Sequence, residues 1–185
     1  MGDFFRGGLR LLYYMLCATN PHIPKHKIVM TKIPNLDTLL NSEDTNGSII
    51  ELDNFIGELC EYGEDFSKLT DHQKLFYLNQ NLEREINNGG FNQYFCNSSG
   101  DNSHETILSL KAIGADKTAD ILQKAIDQFP NNIVPKDRDE RTEIVEQIEE
   151  VADEVWGELD EKFFEYEDDL NTLNIEYVKK YKDFF

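Results

Sequence analysis

Along most of the chain apolar residues recur at steps of three and four, the spacing that lines one face of an α-helix. The first row is Ile49, Leu52, Ile56, Leu59 and Cys60, closing at Gly63. Before it, Asn41–Gly47 is turn chemistry, and its Asn-Gly pair suits positive φ. Thr70-Asp71 signals the next helix start, from which Leu75, Phe76, Leu78, Leu82 and Ile86 form a long stripe. That stripe is expected to stop at Asn87-Asn88-Gly89-Gly90 in a left-handed glycine cap, with Phe91–Phe95 as a short helical piece beyond it. Asn97–Ser103 offers caps for a helix through Ile113, and Gly114 separates that helix from one over Asp116–Phe129 with Ala119, Ile121, Leu122, Ala125 and Ile126 inward. Pro130 ends it. Further on, Ile144, Ile148, Val151, Val155, Leu159, Phe163, Tyr166 and Leu170 predict one or two helices burying that face, and a last helix lies near Leu173–Tyr181. The pattern as a whole predicts an all-α fold, a compact multi-helix bundle with short connecting loops.

The N-terminal part follows different rules. Leu11–Ala18 is apolar, with Arg6 and Arg10 before it, but it is too short to span a membrane. Asp3 in the leading region and Leu16 at the position that favours a small residue argue against an export signal, so a short amphipathic helix docked on the core or on a second subunit is expected. Asn20-Pro21-His22-Ile23-Pro24 breaks regular structure, and Lys27–Ile33 reads as extended until Pro34 closes it. Residues 1–43 are therefore assigned to an N-terminal apolar helix and linker, and residues 44–185 to the helical domain. Cys17, Cys60 and Cys96 are odd in number and widely separated, without a CxxC pair, which favours reduced buried thiols and a cytoplasmic setting.

Charge changes the picture more than composition does. Hydrophobic residues make up 39% of the 185, enough for a packed core, yet the formal net charge is -18. Much of it lies in one segment, Asp137–Asp169, which holds sixteen acidic and three basic residues. Such a field repels nucleic acid and anionic membranes while attracting basic proteins. Glu146, Glu150, Glu154 and Glu158 stand at successive i,i+4 positions. Glu161, Glu165 and Asp168 continue the row, and Glu143, Glu149 and Asp153 flank it. Like charges so spaced destabilise a helix by roughly 0.2 to 0.5 kcal/mol per pair. Between Thr142 and Asp169 only Lys162 is basic, so the row is not an ordinary mixed solvated face. It reads either as a surface imitating a phosphate backbone or as an acidic helix tuned for solubility.

Catalytic constellations are weaker. Asp101 and His104 with Ser98 or Ser99 evoke a nucleophile triad, but no G-x-S-x-G elbow is present and the serines sit where helix caps are required. No H-E-x-x-H pair, calcium loop or phosphate loop occurs, so neither metal nor cofactor is expected.

At Asn88-Gly-Gly-Phe-Asn-Gln-Tyr-Phe-Cys-Asn-Ser-Ser-Gly-Asp101 the chain resembles a bacterial family known for a DNA-mimic protein. The similarity runs on through Ala112–Ala115 and the helix to Phe129, and returns from Phe163 to Tyr177, covering about Asp71–Tyr181. The resemblance implies a mainly helical fold, no enzymatic activity, and an acidic surface, dimeric in the namesake, that occupies the DNA-binding face of a transcription factor. Within the motif Asn88, Gly89, Gly90, Phe91, Tyr94 and Phe95 read as a helix stop, an aromatic plug and a cap, which argues for shared fold rather than for a binding role. The function expected is thus a non-enzymatic acidic protein, a homodimer on the family's pattern, that binds a basic DNA-binding protein and neither nucleic acid nor membrane. Two alternatives stand beside it: an adaptor or immunity-type protein recognised through the aromatic loop at Phe91 and Tyr94, and a hydrolase using Asp101 and His104.

Overall fold

The structure is a computed structural model and describes residues 34–185; the expected Leu11–Ala18 helix, Cys17 and the Lys27–Ile33 stretch lie outside the described residues. Every regular element among the described residues is helical, as the apolar periodicity predicts. In chain order the α-helices are α1 (Leu36–Leu40), α2 (Thr45–Leu59), α3 (Asp71–Cys96), α4 (Ser103–Ile113), α5 (Asp116–Ile126), α6 (Arg138–Phe163) and α7 (Leu170–Lys180), linked by turns that include short 3-10 helices.

Side chains that satisfy the first free N–H groups set most of the helix starts. Asn35, Asp44, Asp137 and Asp169 each accept a backbone N–H three residues on. Thr70 and Gln73 cap each other's backbone reciprocally at the start of α3, a capping box that fits the expected start signal. The Asn46-Gly47 pair behaves differently from expectation. Instead of turning at positive φ it lies in the first turn of α2, because Asp44 Oδ1 accepts the Gly47 N–H at 2.9 Å and so starts the helix there. At the other end of the chain, the Asp169 cap starts α7 at Leu170 rather than Leu173.

The central element is α3, which packs against α2, α4, α6 and α7. One end of the core joins Leu39 and Leu40 of α1, Ile49, Leu52 and Ile56 of α2, Phe76 and Tyr77 of α3, and Ile175 and Val178 of α7. Thus α1, which the sequence places with the linker, packs into the domain. The other end is aromatic: the Phe95 ring lies 4.8 Å from that of Phe129 and 5.2 Å from that of Trp156 between centroids. Each such pair is worth about 0.5 to 1.5 kcal/mol beyond its buried area. The indole N–H of Trp156 donates to the Ala125 carbonyl at 3.1 Å, so the ring is buried without an orphaned donor.

The break in α3 falls at the expected glycines, but its geometry is not the expected left-handed cap. Gly90 has φ 71° and ψ -169°, a region open essentially to glycine alone, and the helix resumes at once with Phe91. Glu85 spans the break, its Oε2 accepting from Gln93 Nε2 at 2.7 Å and Asn97 Nδ2 at 2.8 Å. Of two other boundaries, one follows expectation closely and one falls short of it. α4 closes at Gly114 with φ 84°, and α5 ends at Ile126, three residues short of Phe129, which Pro130 holds extended at ψ 146°.

On α6 the inward face is only partly the one the spacing predicts: Leu159 and Phe163 are buried as expected, but the first half of the predicted row is not. Arg141, Val145, Ala152, Trp156, Leu159 and Phe163 are buried, whereas Ile144, Ile148 and Val155 are only half-buried and Val151 is 71% exposed. Tyr166 is off the helix and exposed, while Leu170 is buried in α7. Two apolar rows run side by side on α6, and a helix can bury only one arc; the row holding Trp156 and Phe163 removes far more surface from water.

Candidate acidic interface

Both ends of α6 are anchored by groups that read as ordinary surface charge in the sequence. Near the start, Arg141 is completely buried. Its Nε donates to the Phe95 carbonyl at 2.6 Å and Nη1 to those of Pro135 and Lys136 at 2.7 and 3.1 Å. Nη2 donates to the Asn97 carbonyl at 2.8 Å and to Asp101 Oδ1 at 2.6 Å. All three guanidinium nitrogens are thereby engaged, as a buried cation requires. The turn after α3 admits this group only because residue 100 is glycine: a Cβ there would stand 2.5 Å from Arg141 Nε. Near the other end, Asp160 Oδ1 accepts the Phe91 N–H at 2.9 Å, capping the second segment of α3. A Cβ on Gly90 would meet Asp160 Oδ2 at 2.1 Å. Burial pushes the Asp160 carboxyl up to about 6, with the Phe91 N–H pulling the other way.

Held in this way, α6 presents its opposite face to water. Glu143, Glu146, Glu150, Glu154, Glu158 and Glu161 are all exposed. At about 100° per residue they fall within an arc of roughly 120°, and at 1.5 Å rise they run for about 27 Å. Asp139 and Glu140, exposed in the first turn, extend the stripe toward the helix start, where the dipole favours negative charge. Among the described residues none of these carboxylates pairs with a lysine or arginine. Glu149 and Asp153 sit on the adjacent flank, half-buried and with interactions of their own.

The predicted row does not extend past the helix. α6 ends at Phe163, and Tyr166 at φ 47° turns the chain away. Glu165 lies exposed in that turn. Asp168 faces α5 instead, its Oδ2 accepting the Thr118 N–H at 2.8 Å and hydroxyl at 3.0 Å. It serves as a helix cap and does not join the stripe.

A family model described as DMP19-like protein matches residues 67–181. The chain belongs to the DMP19-like family. The matched stretch takes in α3 to α7, and with them the glycine break, the Arg141 anchor and the whole acidic stripe. No curated protein and no solved structure matches the chain.

Other candidates within the family region are placed differently. Asn88 and Gly89 are exposed at the break, but Gly90, Phe91, Tyr94 and Phe95 are buried. The hydroxyl of Tyr94 donates to Thr106 Oγ1 at 3.2 Å. The alternative of an adaptor or immunity-type protein recognised through Phe91 and Tyr94 therefore has no ring surface to use, since both rings are core. Asp101 is held by Arg141, while His104 is exposed and its Nε2 accepts the Val134 N–H at 3.3 Å. Ser99 and Ser103 donate to the carbonyls of Tyr94 and Gly100. Among the described residues no hydrogen bond joins Asp101, His104 and a serine, and no three His, Cys, Asp or Glu side chains gather as metal ligands. No described helix is long and apolar enough to cross a membrane.

What sequence reading misses here is the pair of anchors. Arg141 is one of three arginines or lysines in an acidic run, and only its position on the same arc as Val145 and Ala152 marks it as inward. Asp160 carries no such signal, because its partner is a backbone N–H on another helix.

Proposed function

We propose that the chain is a non-enzymatic acidic binding protein of DNA-mimic type, which uses the α6 stripe to occupy the nucleic-acid-binding face of a basic protein. The observation that carries this reading is the unpaired, exposed row of carboxylates on a helix anchored at both ends. Counting Asp139 and Glu140, the stripe offers one negative charge per roughly 4 to 5 Å of axis, against about 3.4 Å per phosphate on one DNA strand. The i,i+4 pairs Glu146–Glu150, Glu150–Glu154 and Glu154–Glu158 together cost on the order of 1 kcal/mol in helix stability. Lysines or arginines of a partner would relieve that repulsion. Family membership supports the same direction, and the buried, free thiol of Cys60 supports a cytoplasmic, reducing setting.

The test is affinity capture of partners at low and high salt, with the triple variant Glu146→Lys, Glu150→Lys, Glu154→Lys alongside. A nucleic-acid-binding protein should be captured, be released by salt and be lost with the variant, whose circular dichroism should match wild type because all three side chains are exposed. Equal capture by the variant would remove the stripe from the function.

A further inference from the structure

Phosphate mimicry accounts for the carboxylates on α6 and leaves a second feature of the same face without a role. Beside the acidic stripe runs an apolar row, Ile144, Ile148, Val151 and Val155, at steps of four, three and four. Three of these are half-buried, and Val151 is 71% exposed. Val151 lies one turn from both Gln147 and Glu154, so its isopropyl group borders the carboxylates directly. A phosphodiester backbone has no apolar ribbon along its charged edge. The two rows share the period and rise of one helix, the apolar one running about 17 Å and the acidic one about 27 Å.

The surface that repeats with the same rise and carries two such chemistries side by side is another α-helix, and charge complementarity requires it to be basic. We infer that the element docking on α6 is a basic amphipathic helix, its lysines or arginines meeting Glu150 and Glu154 while its apolar row covers Val151 and the flank of Ile148 and Val155. The inference rests on the reading of α6 as the binding face and specifies what that face recognises. Docking in this mode has a salt-sensitive part, from the carboxylates, and a part that salt leaves in place, from the apolar row.

Two synthetic peptides about 20 residues long test it, long enough to form a helix of several turns. Both have the same lysine and leucine content. One sets lysines along one helical face with leucines on the adjoining flank, and the other is scrambled so that no face forms. Each is titrated by calorimetry into the full chain at about 50 mM and about 300 mM salt, either side of physiological screening. The amphipathic peptide should bind roughly tenfold more tightly than the scrambled one, and Val151→Ser should remove most of that advantage at both salts. The Glu150→Lys, Glu154→Lys variant should lose binding of both peptides at low salt. Equal affinities for the two peptides, both abolished by charge reversal, would overturn the amphipathic-helix inference and leave the acidic interface standing. Tight binding of the amphipathic peptide that charge reversal does not weaken would instead overturn the acidic interface. Failure of both peptides to bind at low salt would overturn the two together.

Discussion

Asp160 shows how one side chain can serve a fold while working against its own ionisation. It must lie against Gly90 to cap Phe91, and that position strips water from the carboxylate more than the single N–H restores. Its folded pKa, about 6, stands above the ordinary 3.8, so folding favours the protonated form. The stability this contributes is fully present below about pH 4 and is lost as pH rises through 6. Asp160→Asn keeps an acceptor oxygen and removes the titration. The melting temperature of the Asn variant minus that of wild type should therefore increase between pH 4 and pH 7, as followed by thermal denaturation. A difference that stays constant over this range would show that the carboxyl is not held in the environment described. Gly90 is the necessary partner, since any larger residue would have to displace the carboxylate while adopting a backbone conformation that L side chains avoid.

At the scale of the element, α6 is a helix whose outer face argues against its own stability, so its inner face and its anchors decide whether it forms. Trp156, Leu159 and Phe163 supply burial, and each fully buried side chain of this kind contributes about 1.5 to 3 kcal/mol. Arg141 supplies position, tying α6 to the last residues of α3 and the turn beyond them. Truncating it with Arg141→Ala leaves the carbonyls of Phe95 and Asn97 and the Asp101 carboxylate without their donor. The expected cost is about 2 to 4 kcal/mol in urea-induced unfolding, from buried carbonyls left without a donor and the cavity left by the side chain, because Asp101, 39% exposed, can be solvated. Arg141→Lys should recover only part of it, because an ammonium cannot reach partners spread over the whole guanidinium edge. A loss below about 1 kcal/mol for the Ala variant would place the group among surface charges instead.

On the scale of the whole molecule, a net charge of -18 on 185 residues makes the compact state repel itself. Raising salt should therefore stabilise the wild type. The gain should be smaller in the triple lysine variant, which carries -12, and that variant should be the more stable of the two at low salt. Denaturant melts at two ionic strengths check both statements, and they also separate lost binding from lost folding in the capture experiment. Much of this molecule is legible in its sequence. Apolar spacing and cap residues determined that it is helical, where most helices begin and end, and that α3 breaks at Gly89-Gly90. The run of carboxylates from Glu143 to Glu161, without a lysine or arginine beyond the inward Arg141 and before Lys162, determined that one helix face would be strongly negative. These are local properties, set by neighbours three or four positions away. Tertiary structure alone decided which of two apolar rows on α6 turns inward, that Asp168 caps α5 rather than joining the stripe, and that Phe91 and Tyr94 are core and not a recognition loop. It also decided that Arg141 and Asp160 hold the acidic face in place. Each of these depends on a partner far away in sequence, a carbonyl or N–H whose position no local pattern encodes, and on competition between faces for a core that can bury only one of them.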